Sequence, residues 1–104
     1  MEDNESEVVT QLPSKDRAVF LSSFPNMTVK KPLVVSIVFN GDDFVATFFD
    51  AAISVTGDTA EESVWNLQDI IALKFHRFSA LPSTSLGKIP SKQLAILREY
   101  VSKD

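Results

Sequence analysis

The sequence predicts an α+β fold: a three-stranded antiparallel sheet, four-stranded if an edge strand joins, packed on one amphipathic helix and followed by a C-terminal helix. Three observations carry that expectation. Residues 33–39, LVVSIVF, and 44–49, FVATFF, are β-branched and aromatic runs joined by NGDD, a hairpin signal. Residues 57–62, GDTAEE, place helix-capping chemistry directly before an apolar pattern of helical period. A last amphipathic segment, KQLAILREYVS, closes the chain.

Taken in order, residues 1–16 read as an acidic flexible tail and lead-in, with Pro13, Ser14 and Asp16 supplying turn chemistry. RAVFLSSF alternates weakly, so an edge strand is expected over about residues 18–22. PNMTVKKP, bounded by Pro25 and Pro32, reads as a loop. In the hairpin that follows, Leu33, Val35, Ile37 and Phe39 share one face with Phe44, Ala46 and Phe48, and that face is core. The opposite face carries Val34, Ser36, Val38, Val45, Thr47 and Phe49, which is too apolar for a sheet surface left in water, so a cover is expected. Val34, Val38, Val45 and Phe49 are therefore the candidate interface residues. A short third strand, Ile53 to Val55, leads into the cap.

The helix is expected from about Thr59 to about Arg77. Thr59 and Glu62 have the spacing of a capping box, in which the hydroxyl accepts from a free first-turn amide and the carboxylate reaches back to the cap residue's own amide. Asp58, Glu61 and Glu62 set negative charge against the positive end of the helix dipole, and Gly57 lets the chain pass from strand to cap without steric penalty. Val64, Leu67, Ile71, Phe75 and Phe78 form the apolar stripe, widened by Ile70 and Leu73. Trp65 stands off that stripe, either as a core residue, the preferred reading, or as an anchor on a second surface. Pro82 prevents long continuation, LPSTSLGKIP reads as a connector, and Ser91 is the expected cap of a C-terminal helix over 91–102. Leu94, Leu97 and Val101 form one stripe there, and Ile96 and Tyr100 a second. The organisation is thus a tail over 1–16 and a single domain over 17–104, with its core in 33–78.

Composition narrows the chemistry. With 104 residues, 44% of them hydrophobic and 23% charged, the chain suits one ordinary globular domain. There is no cysteine, so disulfide and thiolate chemistry are excluded. The net charge of −4 resides in Glu2, Asp3, Glu5 and Glu7, while the rest balances ten acids against ten bases. Such a tail is either a solvated end or a lure for a basic partner. Direct DNA binding is not expected from a neutral body, a patch at Lys30 and Lys31 apart. No apolar run reaches the roughly 20 residues that span a bilayer, and MEDNESE is unlike a signal peptide, so a cytoplasmic protein is expected. His76 at a helix end reads as complementing the dipole rather than as a general base, and Asp42 and Asp43 read as turn formers rather than as a metal site shared with Asp50 or Asp58. Nucleophile-elbow and phosphate-loop motifs are absent. No catalytic, cofactor-binding or metal-binding residue is therefore assigned, and a small hydrolase using His76 or the turn aspartates ranks well behind a binding protein.

The order hairpin, short strand, GDTAEE and helix resembles the HicB family of antitoxins over about residues 33–75. The matching residues are Gly57, Asp58, Thr59, Glu61, Glu62, Asn66, Leu67 and Ile71, with Ser63 where alanine is usual. The resemblance implies a sheet packed on the helix in a degenerate ribonuclease H-like arrangement without catalytic carboxylates. It further implies an antitoxin-type protein-binding module that masks a small basic ribonuclease toxin, HicA, by direct contact. Many members add a DNA-binding helix-turn-helix. Here only LPSTSLGKIPSKQLAILREYVSKD follows Ser79, enough for one helix, so the chain is similar to solitary HicB-related proteins without a DNA-binding domain. The alternative expectation is a homo-oligomeric scaffold of that solitary type with neither toxin partner nor enzymatic activity.

Overall fold

The computed structural model describes residues 17–104; the acidic segment 1–16 lies outside the described residues. The chain runs β1 (Arg17–Leu21), β2 (Met27–Val29), β3 (Leu33–Phe39), β4 (Phe44–Phe48), β5 (Ile53–Gly57), α1 (Ala60–Ala80), α2 (Lys88–Tyr100) and β6 (Val101–Lys103), with short 3-10 turns at Phe49–Ala51 and Ser83–Ser85. The fold is α+β, with a four-stranded antiparallel sheet in the order β1-β3-β4-β5. The expected edge strand is thus present, one residue earlier than anticipated.

The β3–β4 hairpin closes on the Phe39–Phe44 pair, whose rings lie 5.0 Å apart. Asn40 organises the turn: its side-chain oxygen accepts from the amides of Asp42 and Asp43, and its own amide donates to the Asp43 carbonyl. Gly41 supplies the positive φ, +102°, that the turn requires.

The inner face of the sheet presents Leu33, Val35, Ile37, Ala46, Phe48 and Ile53, all buried. Against it α1 lays Leu67, Ile71 and Phe75, with Val64, Ile70 and Phe78 at the margins. From α2, Leu94 and Leu97 complete the same core, and Val101 of β6 joins them. The second stripe of α2, Ile96 and Tyr100, packs at the core's edge.

Five expectations need correction. The segment Pro25–Pro32 is not all loop, because Met27–Val29 pairs antiparallel with Val101–Lys103 in a second, two-stranded sheet. Its partner is the other end of the chain, so no local hairpin signal announces it. The C-terminal helix begins at Lys88, not Ser91, and Gly87 is the cap residue; the Ser91 amide donates to the Gly87 carbonyl inside the first turn. Pro90 is tolerated there because first-turn amides have no intrahelical acceptor. Leu73 does not widen the buried stripe and is half exposed. Trp65 is not core: 64% of it is exposed. Helix α1 also runs to Ala80, three residues beyond the expected end.

The junction between β5 and α1 explains the GDTAEE stretch. The Thr59 hydroxyl accepts from the Glu62 amide at 3.0 Å, as the capping box requires. The Glu62 carboxylate, however, accepts from the amide of Asp58 at 2.6 Å, one residue before the cap. Gly57 is buried in β5, and a Cβ there would stand 2.4 Å from the Ser63 amide nitrogen and 2.8 Å from the Glu62 carbonyl carbon. Its role is close approach of the helix's first turn to the strand, a stricter demand than the free passage read from sequence. Ser63 is fully buried in that contact and its hydroxyl donates to the Ala60 carbonyl at 2.7 Å, so only a small residue fits.

Candidate protein interface

The register assigns the outer face of the sheet residue by residue. Ala18 and Phe20 of β1 stand beside Ser36 and Val34 of β3; Ser36 and Val38 stand beside Thr47 and Val45 of β4; and Val45 and Thr47 face Thr56 and Ser54 of β5. Alternation makes this assignment, since Leu21, Leu33, Val35, Ile37, Ala46, Phe48 and Ile53 between and beside them are buried on the inner face. Among the described residues no element covers this face: Phe20 is 69% exposed, Val34 52% and Val38 42%. Phe49, in the 3-10 turn just past β4, is 71% exposed. Val45 is half-buried by its neighbours.

The chemistry of the face is as telling as its exposure. Every outward strand position is apolar or carries a hydroxyl, and none is charged. The polar groups partly satisfy one another, for Thr47 and Ser54 share a hydrogen bond across β4 and β5 at 2.8 Å. Sheet surfaces that remain in water normally alternate apolar-in with charged or polar-out, and exposed sheets are usually defended by lysine or glutamate. Here Phe20 beside Val34 and Val38 beside Val45 form cross-strand apolar pairs on the solvent side. All four sequence-designated residues thus lie on or beside one uncovered face. Phe20 escaped that designation although RAVFL alternates, because a weakly patterned strand leaves its inward and outward residues undecided until its partner is known.

The other candidate residues are dispersed. Asp42 and Asp43 sit in the β3–β4 turn, and Asp43 and Asp58 flank the Phe44–Gly57 pair at that end of the sheet. Asp50 lies at the opposite end of β4, where its carboxylate accepts a short hydrogen bond from the Tyr100 hydroxyl. Among the described residues no three His, Asp or Glu side chains are grouped to hold a metal ion. His76 is exposed on α1, edge-on to Phe75, and borders a cleft of about 290 Å³ with Trp65, Pro25 and Asn26. Asn26 takes a left-handed φ of 60° in the loop beside it. Of the two lysines read as a patch, Lys31 is engaged, 3.9 Å from the Glu99 carboxylate and 4.4 Å above the Tyr100 ring.

The ionisation of Tyr100 is perturbed. Donation to Asp50 raises its pKa above the ordinary 10.0, with desolvation and the charges of Asp50 and Glu99 acting in the same direction. Its ring also meets Phe48 edge-on at 5.0 Å, tying the end of α2 to the sheet.

Comparison with family models, with curated proteins and with solved structures finds no match to this chain. Among the described residues no helix is long and apolar enough to cross a membrane.

Proposed function

We propose that this protein works by docking another polypeptide onto the outer face of its four-stranded sheet, as an antitoxin-type module that masks a small basic ribonuclease and performs no chemistry itself. The observation that carries the proposal is the uncharged apolar face centred on Phe20, Val34 and Val38, which no element among the described residues covers. Interfaces concentrate apolar and aromatic residues at their centre and exclude charge from it. The resemblance of Gly57, Asp58, Thr59 and Glu62 and their neighbours to the HicB motif names the occupant, and the chain's acidic excess favours a basic one. A cytoplasmic place of action belongs to the same reading.

A second reading, a homo-oligomer without a toxin, is favoured by one specific feature. A face with no charge has nothing to repel its own copy, and sheet-on-sheet packing about 10 Å apart would bury Phe20, Val34 and Val38 symmetrically. Coexpression with a HicA-family ribonuclease separates the two readings. Rescue of growth and co-purification in wild type, lost on Val38→Lys, support the masking function; association only with itself supports the second.

A further inference from the structure

On the helix side of the sheet, away from the proposed docking face, four elements converge on a cleft of about 400 Å³. Lys30 enters from the end of β2, Phe75 and Ser79 from α1, Arg98 from α2, and Ser102 and Lys103 from β6. Three cations border this cleft and no carboxylate does, in a chain whose net charge is −4. Lys31, next in sequence, has Glu99 and the Tyr100 ring as partners. Among the described residues Lys30, Arg98 and Lys103 have no such partner. The β2–β6 pairing and the end of α2 bring the three to one cleft, where they concentrate positive charge.

The two buried hydroxyls of α1 differ. Ser63, the buried serine at the start of α1, returns its hydrogen bond to a helix carbonyl. Ser79 does not: its Oγ is buried and lacks a partner, alone among the buried side-chain polar atoms of the described residues. That oxygen is closed off from the cleft, so it is not itself a contact for a ligand there. Arg98 offers a planar fork of donors suited to a multi-oxygen anion, and the lysines offer point charges around it. Phe75 supplies an apolar wall beside the charged one.

We infer that this cleft binds a small phosphate-class anion, a phosphomonoester or pyrophosphate group, between Lys30, Arg98 and Lys103. The volume lies within the range of small-ligand sites, roughly 300–1,000 Å³. A polynucleotide is disfavoured, because a neutral body offers no basic track beyond the cleft to follow its backbone.

The test is a titration of pyrophosphate into the isotope-labelled full chain at low ionic strength, followed by amide NMR. Saturable shifts should concentrate at Lys30, Ser79, Ser102 and Lys103. Arg98→Gln, an exposed position where the fold is retained, should weaken binding roughly tenfold or more, the scale of a lost charge-assisted hydrogen bond. Absence of saturation in wild type, or affinity unaltered by Arg98→Gln, would overturn the proposal. Tighter binding of a single-stranded oligonucleotide than of pyrophosphate would overturn the small-ligand assignment.

Discussion

Single residues at the β5–α1 junction do separable work. Thr59→Ala removes an acceptor for the Glu62 amide and should cost about 1 kcal/mol in denaturant unfolding. Gly57→Ala should cost more, about 1–3 kcal/mol, because its Cβ would meet backbone atoms that cannot rotate away. At the other end of the molecule, Tyr100→Phe keeps the ring against Phe48 but deletes the hydroxyl that donates to Asp50, and should cost about 1 kcal/mol at neutral pH. The pH dependence has a definite sign. Since folding raises the Tyr100 pKa, its contribution is present below pH 10.0 and is lost as pH rises through the higher folded value. The stability gap between wild type and Tyr100→Phe should therefore close in alkaline unfolding titrations and remain constant from pH 7 to about pH 9. The cap was legible in GDTAEE because it acts within a few residues, whereas the close approach of α1 that Gly57 permits was not, since it depends on how the helix packs on β5. Trp65 was not, since an aromatic beside an apolar stripe reads the same whether the neighbouring loop covers it or leaves it 64% exposed.

Among elements, α1 is the one on which both layers depend. Leu67 is fully buried in the core, so Leu67→Ala should cost roughly 2–5 kcal/mol, clearly more than Thr59→Ala; equal losses would remove Leu67 from the core. The hairpin and α1 were readable because their periods, two and 3.6, repeat long enough to be distinguished. The β2–β6 pair was not, because each strand is only three residues long and its partner lies more than seventy residues away. The start of α2 was obscured by Pro90, which looks like a breaker but occupies a first-turn position where its missing amide is not needed. The candidate site was half legible: alternation in LVVSIVF and FVATFF exposed the surplus apolar face, while Phe20 joined it only once β1 paired with β3.

For the molecule as a whole, apolar surface is distributed unequally between the two sides of the sheet. The inner side is covered by α1 and α2 and holds the core; the outer side carries Phe20, Val34 and Val38 in solvent without a single charge among the strand positions. A lysine at position 38 lies outside the core, so it should leave the fold intact while placing an unpaired charge at the centre of any contact made there. The basic cleft lies on the helical side, so its ligand and the docked polypeptide would not compete for the same atoms. The most direct measurement of the central claim is sedimentation velocity of wild type and Val38→Lys, each alone and mixed with a HicA-family ribonuclease. A wild-type complex or dimer at micromolar concentration that reverts to monomer in the folded Val38→Lys variant is the predicted result. A wild-type chain that stays monomeric in every mixture, or an association that Val38→Lys leaves unchanged, would contradict it.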